Sequence, residues 1–376
     1  MQIDVLIKWI MAVSLAVGAV DLILGGRFGL GKEFENGIMT AGRLILFMAG
    51  FMALAPVLAG ILTPVFGPLF QRIGVDPSMV AGILLANDAG AAPLAMEMAL
   101  DPTAGRFSGW IVGAMMGTTV MFVFPMAVGV AKEGQKPAVL YGLLVGIATA
   151  PIGCLCGGLA AGFPVRLVLR NLIPVLFVSG SLLAGLLCLG QKLIPAFIWF
   201  GRAVTALSCT GLVIGAVGLL TGFCPIPGMG SMEEAFVVIG NIAVFLAGAF
   251  PLIALLRRVL GRFFAALGDA CGVNEAAVSG LFMTLANGIP TFGLLDEMND
   301  RGIIMNLAFM VCASCAIGDH LAYTAGTAPE LTMPVLAGKL AGGAAALLAA
   351  MALEPKLMGR TPHFSGKDSK PPVMQQ

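Results

Sequence analysis

Charge is what this sequence has least of. Only 11% of its 376 residues are Asp, Glu, Lys or Arg, where an ordinary soluble domain carries about a quarter. Histidine occurs twice, so the cysteine pairs Cys154/Cys156 and Cys312/Cys315 lack the partners that zinc chemistry would ask for. All but a little of the cysteine lies inside apolar segments, and we read these thiols as small buried hydrophobes. Neither a metal nor a cofactor is implied. A net charge of +1 also argues against nucleic acid as a partner.

What is present instead is apolar length. The chain is 59% hydrophobic with a mean hydropathy of +0.98, more apolar surface than one soluble fold could hide, so the lipid bilayer is its solvent. Charges leave uncharged stretches near or above the roughly 20 residues that a membrane-crossing helix needs. They run from Leu44 to Phe70, Phe107 to Ala131, Pro137 to Val165, Asn171 to Gln191, Ala203 to Met232, Ala235 to Leu256 and Gly302 to Gly318. A last stretch, Leu331 to Leu353, is interrupted only by Lys339. Val5 to Leu24 lacks a small-x-small cleavage site and reads as a retained helix, not a signal peptide.

The two ends of the chain repeat one order of landmarks. Pro56 lies in an apolar helix ending at Gly74-Val75, and Pro251 in one leading to Gly272-Val273. A glycine follows each (Gly82, Gly280), then Leu-Ala-Asn (Leu85 to Asn87, Leu285 to Asn287), then Glu-Met (Glu97-Met98, Glu297-Met298). This order predicts a duplication. Its halves are 1–163, with a broken helix over 77–100, and 192–353, with a broken helix over 275–298; 164–191 is a connecting transmembrane helix and 354–376 a polar cytoplasmic tail. Gly90 and Pro93 break the first segment, Gly288 and Pro290 the second, because proline removes a donor and glycine adds freedom. Broken helices at matching places point to a transporter's binding site.

The positive-inside rule bears on how these segments sit. If both enter and return on the same side, the cytoplasmic loops and tail hold fifteen Lys and Arg against five outside; if both cross, the split is eleven against nine. Re-entry is favoured. It leaves nine full crossings and makes the halves antiparallel, so the expected fold is an all-α polytopic membrane protein of nine to eleven membrane segments in two weakly similar, inverted halves.

A carboxylate in the hydrocarbon region costs at least a few kcal/mol, so each one implies a partner or a purpose. Asp88 stands beside Asn87 at the first break, where freed backbone carbonyls and an amide make a site for a small cation with several hydrogen-bond donors. Asn287 is its counterpart at the second. Asp319 and His320 follow seventeen uncharged residues; Asp319 pairs with Lys339 as a structural ion pair in one reading and belongs to the cation path in the other. Glu97 and Glu297, near segment ends, complete the candidate set. An integral-membrane enzyme using Asp319 and His320 as acid and base is the competing class, and the polar residues are few for it.

Five stretches carry a family resemblance: GILLANDAG (Gly82 to Gly90), PIGCLCGGL (Pro151 to Leu159), LIPVL (Leu172 to Leu176), TLANGIP (Thr284 to Pro290) and IGDHLAYTA (Ile317 to Ala325). In this order they resemble the ethanolamine permeases of bacterial ethanolamine-utilisation operons, the EutH family, from the first helix through Lys339. Where other members have a longer polar loop, this chain has only FCPIPGMGSMEEA. The resemblance implies a permease for ethanolamine in the bacterial cytoplasmic (inner) membrane. The residues alone reach only a solute transporter, with another small amine or cation as an alternative cargo.

Overall fold

The structure, a computed structural model, describes residues 3–189 and 194–358, and across them it is all-helical. The polar tail expected from 354 onward lies, beyond 358, outside the described residues. Among the described residues, seven helices are long and apolar enough to cross a bilayer: Gly50–Arg72, Pro102–Val130, Lys136–Ala160, Val165–Gly185, Ile198–Thr221, Met232–Leu256 and Pro329–Leu353. The chain is a polytopic membrane protein.

Helix α1 (Ile3–Ile23) is followed by α2 (Leu30–Leu44), which runs through a π-helical turn, Ile45–Ala49, into α3 (Gly50–Arg72). The charged residues of α2 mark a loop in the sequence reading, but they sit on a helix. Glu33, Asn36 and Thr40 recur at helical spacing on one side, while Gly31 and Gly37 let neighbouring helices come close. A Cβ at Gly31 would lie 2.6 Å from the Leu22 backbone, and one at Gly37 2.4 Å from the amide of Ala247. Small residues at such crossings replace the hydrophobic drive that lipid cannot supply. Asp21 fixes the corner by accepting from the amides of Phe28, Leu30 and Gly31 at 2.8–2.9 Å, donors that the start of a helix leaves without partners.

Each broken segment doubles back. The first consists of α4 (Met79–Leu84) and α5 (Ala91–Met98), and the Asp76 carboxylate ties its ends together. One oxygen accepts from the amide of Ser78 at 2.9 Å and the other from the amides of Leu100 and Asp101 at 3.0 Å. Next comes one long helix, Pro102–Val130, made of α6 (Pro102–Arg106), π-helical stretches at Phe107–Gly117 and Thr119–Val123, and α7 (Phe124–Val130). After α8 (Lys136–Ala160), α9 (Val165–Leu189), α10 (Ile194–Thr221) and α11 (Met232–Cys271) comes the second hairpin, α12 (Glu275–Ala286) and α13 (Ile289–Phe292). Its ends are tied by two amides: Asn274 donates to the carbonyl of Glu297 at 2.5 Å, and Asn299 to that of Gly272 at 3.2 Å.

The two hairpins start from opposite ends of the helix Pro102–Val130, which at ~1.5 Å per residue is roughly 43 Å long. Asp101, at the base of the first, caps the start of that helix by accepting from the Thr103 amide. The base of the second is held just past its far end, where Lys132 donates to Asp296 at 2.5 Å and Gln135 to the Leu295 carbonyl at 3.0 Å. Lys132 holds the exposed Asp296 carboxyl below the usual carboxylate range, chiefly through that hydrogen bond. α14 (Asp300–Ala313), α15 (Asp319–Thr327) and α16 (Thr332–Met358) complete the chain. Glycines 338 and 342 of α16 lie against Gly153 and Gly157 of α8, where a Cβ at Gly338 would come within 2.8 Å of the Gly153 carbonyl. From α1 to α8 and again from α10 to α16, the elements follow one order: helix, very long helix, hairpin, interrupted or π-distorted helix, helix.

Candidate functional site

The hairpin tips are built from irregular backbone. At the first, Leu85 and Ala86 are extended, Asn87–Ala89 form one 3-10 turn, and Gly90 takes φ +103°, a conformation that side chains disfavour. Pro93 then sits in the first turn of α5, where its missing donor costs nothing. At the second tip Asn287 is the extended residue, and its side chain accepts from the amide of Ile289 at 2.9 Å. Gly288 has helical torsions; a Cβ there would meet the Ser314 hydroxyl at 2.7 Å. Its smallness serves packing, while the freedom anticipated for a helix break is used only at Gly90.

A third break is absent from the sequence reading. The stretch Gly302 to Gly318 is not one helix: α14 ends at Ala313 and α15 begins at Asp319, with Cys315 in the left-handed region at φ 57°. The amides of Cys315 and Ile317 donate to the carbonyls of Thr284 and Leu285 at 2.9 and 2.8 Å. The second hairpin and this break thus satisfy each other's backbone groups, which lipid could not do. No proline marks the place; Gly318, whose Cβ would fall 1.7 Å from the Ala286 carbonyl, is the one local signal. Against the first hairpin Gly117 plays that part, with a Cβ position 1.8 Å from the Leu85 carbonyl.

Tips and break surround a cavity of about 730 Å³. Asp88, Asp319, His320 and Asn287 line it. Asp88 Oδ1 and His320 Nε2 are 3.6 Å apart although 232 residues separate them in sequence, and the Thr118 hydroxyl is 3.4 Å from the same nitrogen. Asn87 stands behind, wholly buried, donating to the His320 carbonyl at 3.3 Å and the Thr324 hydroxyl at 3.4 Å. Among the described residues, the Asn87 side-chain oxygen and His320 Nδ1 are buried without a hydrogen-bond partner.

The other sequence candidates lie elsewhere. Glu97 and Glu297 are exposed near the hairpin bases and do not line the cavity. Lys339 is wholly buried. Where the sequence reading pairs it with Asp319, its two hydrogen bonds go to carbonyl oxygens, Ala114 at 2.5 Å and Cys312 at 3.2 Å. Sequence reasoning missed the opposite wall, where Glu33, Asn36 and Thr40 of α2 face the cavity together with Phe250 and Phe282. The spacing of those three polar residues was the available signal. Among the described residues, no group of three or more His, Cys, Asp or Glu could hold a metal ion.

An all-helical membrane protein whose internal carboxylates and irregular backbone converge on one cavity from two helical hairpins has the architecture of a solute-handling membrane protein. Comparison with known sequences places it further: the family described as Ethanolamine utilisation protein, EutH, matches residues 3–353, and the chain belongs to that family. It is 43% identical to "Probable ethanolamine permease EutH" of Listeria monocytogenes over 95% of this chain and 96% of that one. It is 40% identical to "Uncharacterized protein YxeR" of Bacillus subtilis, over 94% and 96%. With "Probable ethanolamine permease EutH" of Salmonella typhimurium it shares 39%, over 95% and 97%. No solved structure matches the chain.

Proposed function

We propose that this protein carries ethanolamine, as the protonated amine, across the bacterial cytoplasmic membrane through the cavity between its two hairpins. The observation that carries the reading is the cavity's charge. Glu33, Asp88 and Asp319 line it, and no Lys or Arg does among the described residues. Asp88, at the tip of the first hairpin, is a negative charge of the kind that suits a monovalent cation. The Asn287 amide and the Thr118 hydroxyl give the ammonium and hydroxyl of a small amino alcohol somewhere to bond. The names of the relatives supply the particular amine.

Ethanolamine holds its proton up to a pH of roughly 9 to 10.5, near that of lysine, and only the minor neutral form crosses lipid unaided. Each unit of acidification cuts that neutral fraction about tenfold. Growth on ethanolamine, or uptake of the labelled amine, with and without the protein across external pH tests the reading. The expected deficit is slight in alkaline medium with abundant ethanolamine and large in acidic or dilute medium. An equal deficit at every pH would reject the protonated cargo.

The same reading has nine crossings, inverted halves and re-entrant hairpins. Seven long apolar helices, with α1 and the α14–α15 pair, make nine, and hairpins starting from opposite ends of one long helix are what inverted halves would produce. Cysteine-accessibility labelling should find Arg72 and the segment 101–106 both outside, with the 131–135 loop inside. Labelling of Arg72 and 101–106 from opposite sides would reject re-entry.

A further inference from the structure

Lys339 is the one described lysine that is wholly buried, and the carbonyls it touches are not ordinary helix carbonyls. Cys312 lies in the last turn of α14, where carbonyls have no helical partner and the helix dipole is negative. The amide of Ala316, which would reach Cys312 if the helix continued, donates to Ala313 instead. Ala114 lies within the π-helical stretch Phe107–Gly117, where the amide of Thr118 turns to the carbonyl of Gly113. Two interrupted helices thus aim freed oxygens at one point. In a membrane protein such a point ordinarily coordinates a small cation. Here a side chain from α16 reaches it, and the contacts of Gly338 and Gly342 with Gly153 and Gly157 bring that helix close enough.

We propose that Lys339 is a tethered cation: its ammonium fills the site that an alkali ion would otherwise take between the two broken helices, so that this transporter works without sodium or potassium there. The titratable groups facing it are Cys154, Cys312, Cys315, Asp88 and His320. Asp88 is the charge through which Lys339 acts on the cargo site, which makes Lys339 a positioning residue. This inference rests on the cation-transport reading above for its transport arm only.

The test uses the full chain, purified and reconstituted, with ethanolamine uptake measured in sodium, potassium or lithium salts and in a large organic cation at constant ionic strength. Wild type should run at the same rate in all of them. Lys339→Ala should lose about tenfold or more in the organic cation and recover part of that loss in sodium or lithium. A second measurement needs no transport: sodium or lithium should raise the thermal midpoint of Lys339→Ala in detergent and leave that of wild type unmoved. A merely structural lysine would give a destabilised variant indifferent to the salt, and that result overturns the proposal. So does a wild type that requires sodium, a comparison that stands even if no Lys339 variant accumulates. Failure of wild type to carry ethanolamine at all would reject the functional reading, and the melting comparison would still decide the role of Lys339.

Discussion

The two hairpins share a design and differ in how firmly they are held. The first is buried almost throughout from Val75 to Ala95 and carries Asp88 at its tip. Its base is closed by a carboxylate accepting three amides, and Asp76 itself is anchored to α9 by donating its own amide to Asn171 at 2.9 Å. The second is half-exposed over most of its length, is closed by neutral side chains, and brings no charge of its own to the tip. Its contribution to the cavity is a wall: Phe282, Met283, Asn287 and Pro290. One hairpin fixes a charge, and the other shapes the space in front of it.

The largest effect should therefore come from the tip of the first hairpin. A hydrogen bond to a charged group contributes about 1.5–3 kcal/mol, so Asp88→Asn should weaken handling of a protonated amine by about 10- to 100-fold. Membrane abundance should hold. At the second tip, Asn287→Ala removes a neutral donor and a turn-stabilising acceptor, and uptake should fall by about fivefold, the worth of roughly 1 kcal/mol. Labelled uptake normalised to membrane abundance separates them; equal losses would erase the distinction between charge and wall.

Next come the bases. Asp76→Ala strands the amides of Ser78, Leu100 and Asp101. One is buried and two are part-exposed, and the loss should be about 3–5 kcal/mol, at roughly 1–3 for a buried group and about 1 for each wetter one. Asn274→Ala removes one bond to a carbonyl that water can reach and one helix cap, about 1–2 kcal/mol. Thermal unfolding in detergent should rank Asp76→Ala well below Asn274→Ala. The reverse order would mean that the second hairpin is the more firmly built.

Much of this was readable from composition and spacing, and the failures have physical causes. Uncharged runs located the long helices because lipid enforces apolar length, and each tip falls at an Asn beside extended backbone, Ala86 before Asn87 and Asn287 itself. Asp88 could be singled out because an intramembrane carboxylate is rare. The helix Leu30–Leu44 was missed because its charged residues were counted as loop charges while their helical spacing went unread. The break at 314–318 was missed because it is imposed by pairing with the second hairpin and not by a local breaker. Lys339 was identified as buried, but its acceptors are carbonyls freed by distortions that no sequence pattern reveals.

The smallest effect should come from the residues that matched best by eye. Glu97-Met98 and Glu297-Met298 are the same dipeptide near the base of each hairpin. Their methionines are buried, at 1% and 8% exposure, while both glutamates are exposed. What the two dipeptides share is therefore a buried methionine near the hairpin base, and the carboxylate is an ordinary solvated end. Surface changes away from buried networks usually stay within about 0.5 kcal/mol, so Glu97→Gln and Glu297→Gln should each leave uptake within about twofold and the thermal midpoint nearly unmoved. Met98→Ala, which opens a cavity, should cost about 2–5 kcal/mol. The comparison is sharpened further by asymmetry, since Met98 is the more enclosed of the two and Met298→Ala should cost less. A large uptake defect in either glutamine variant with abundance intact would instead place that carboxylate on the cargo's path, at the entrance or exit of its hairpin.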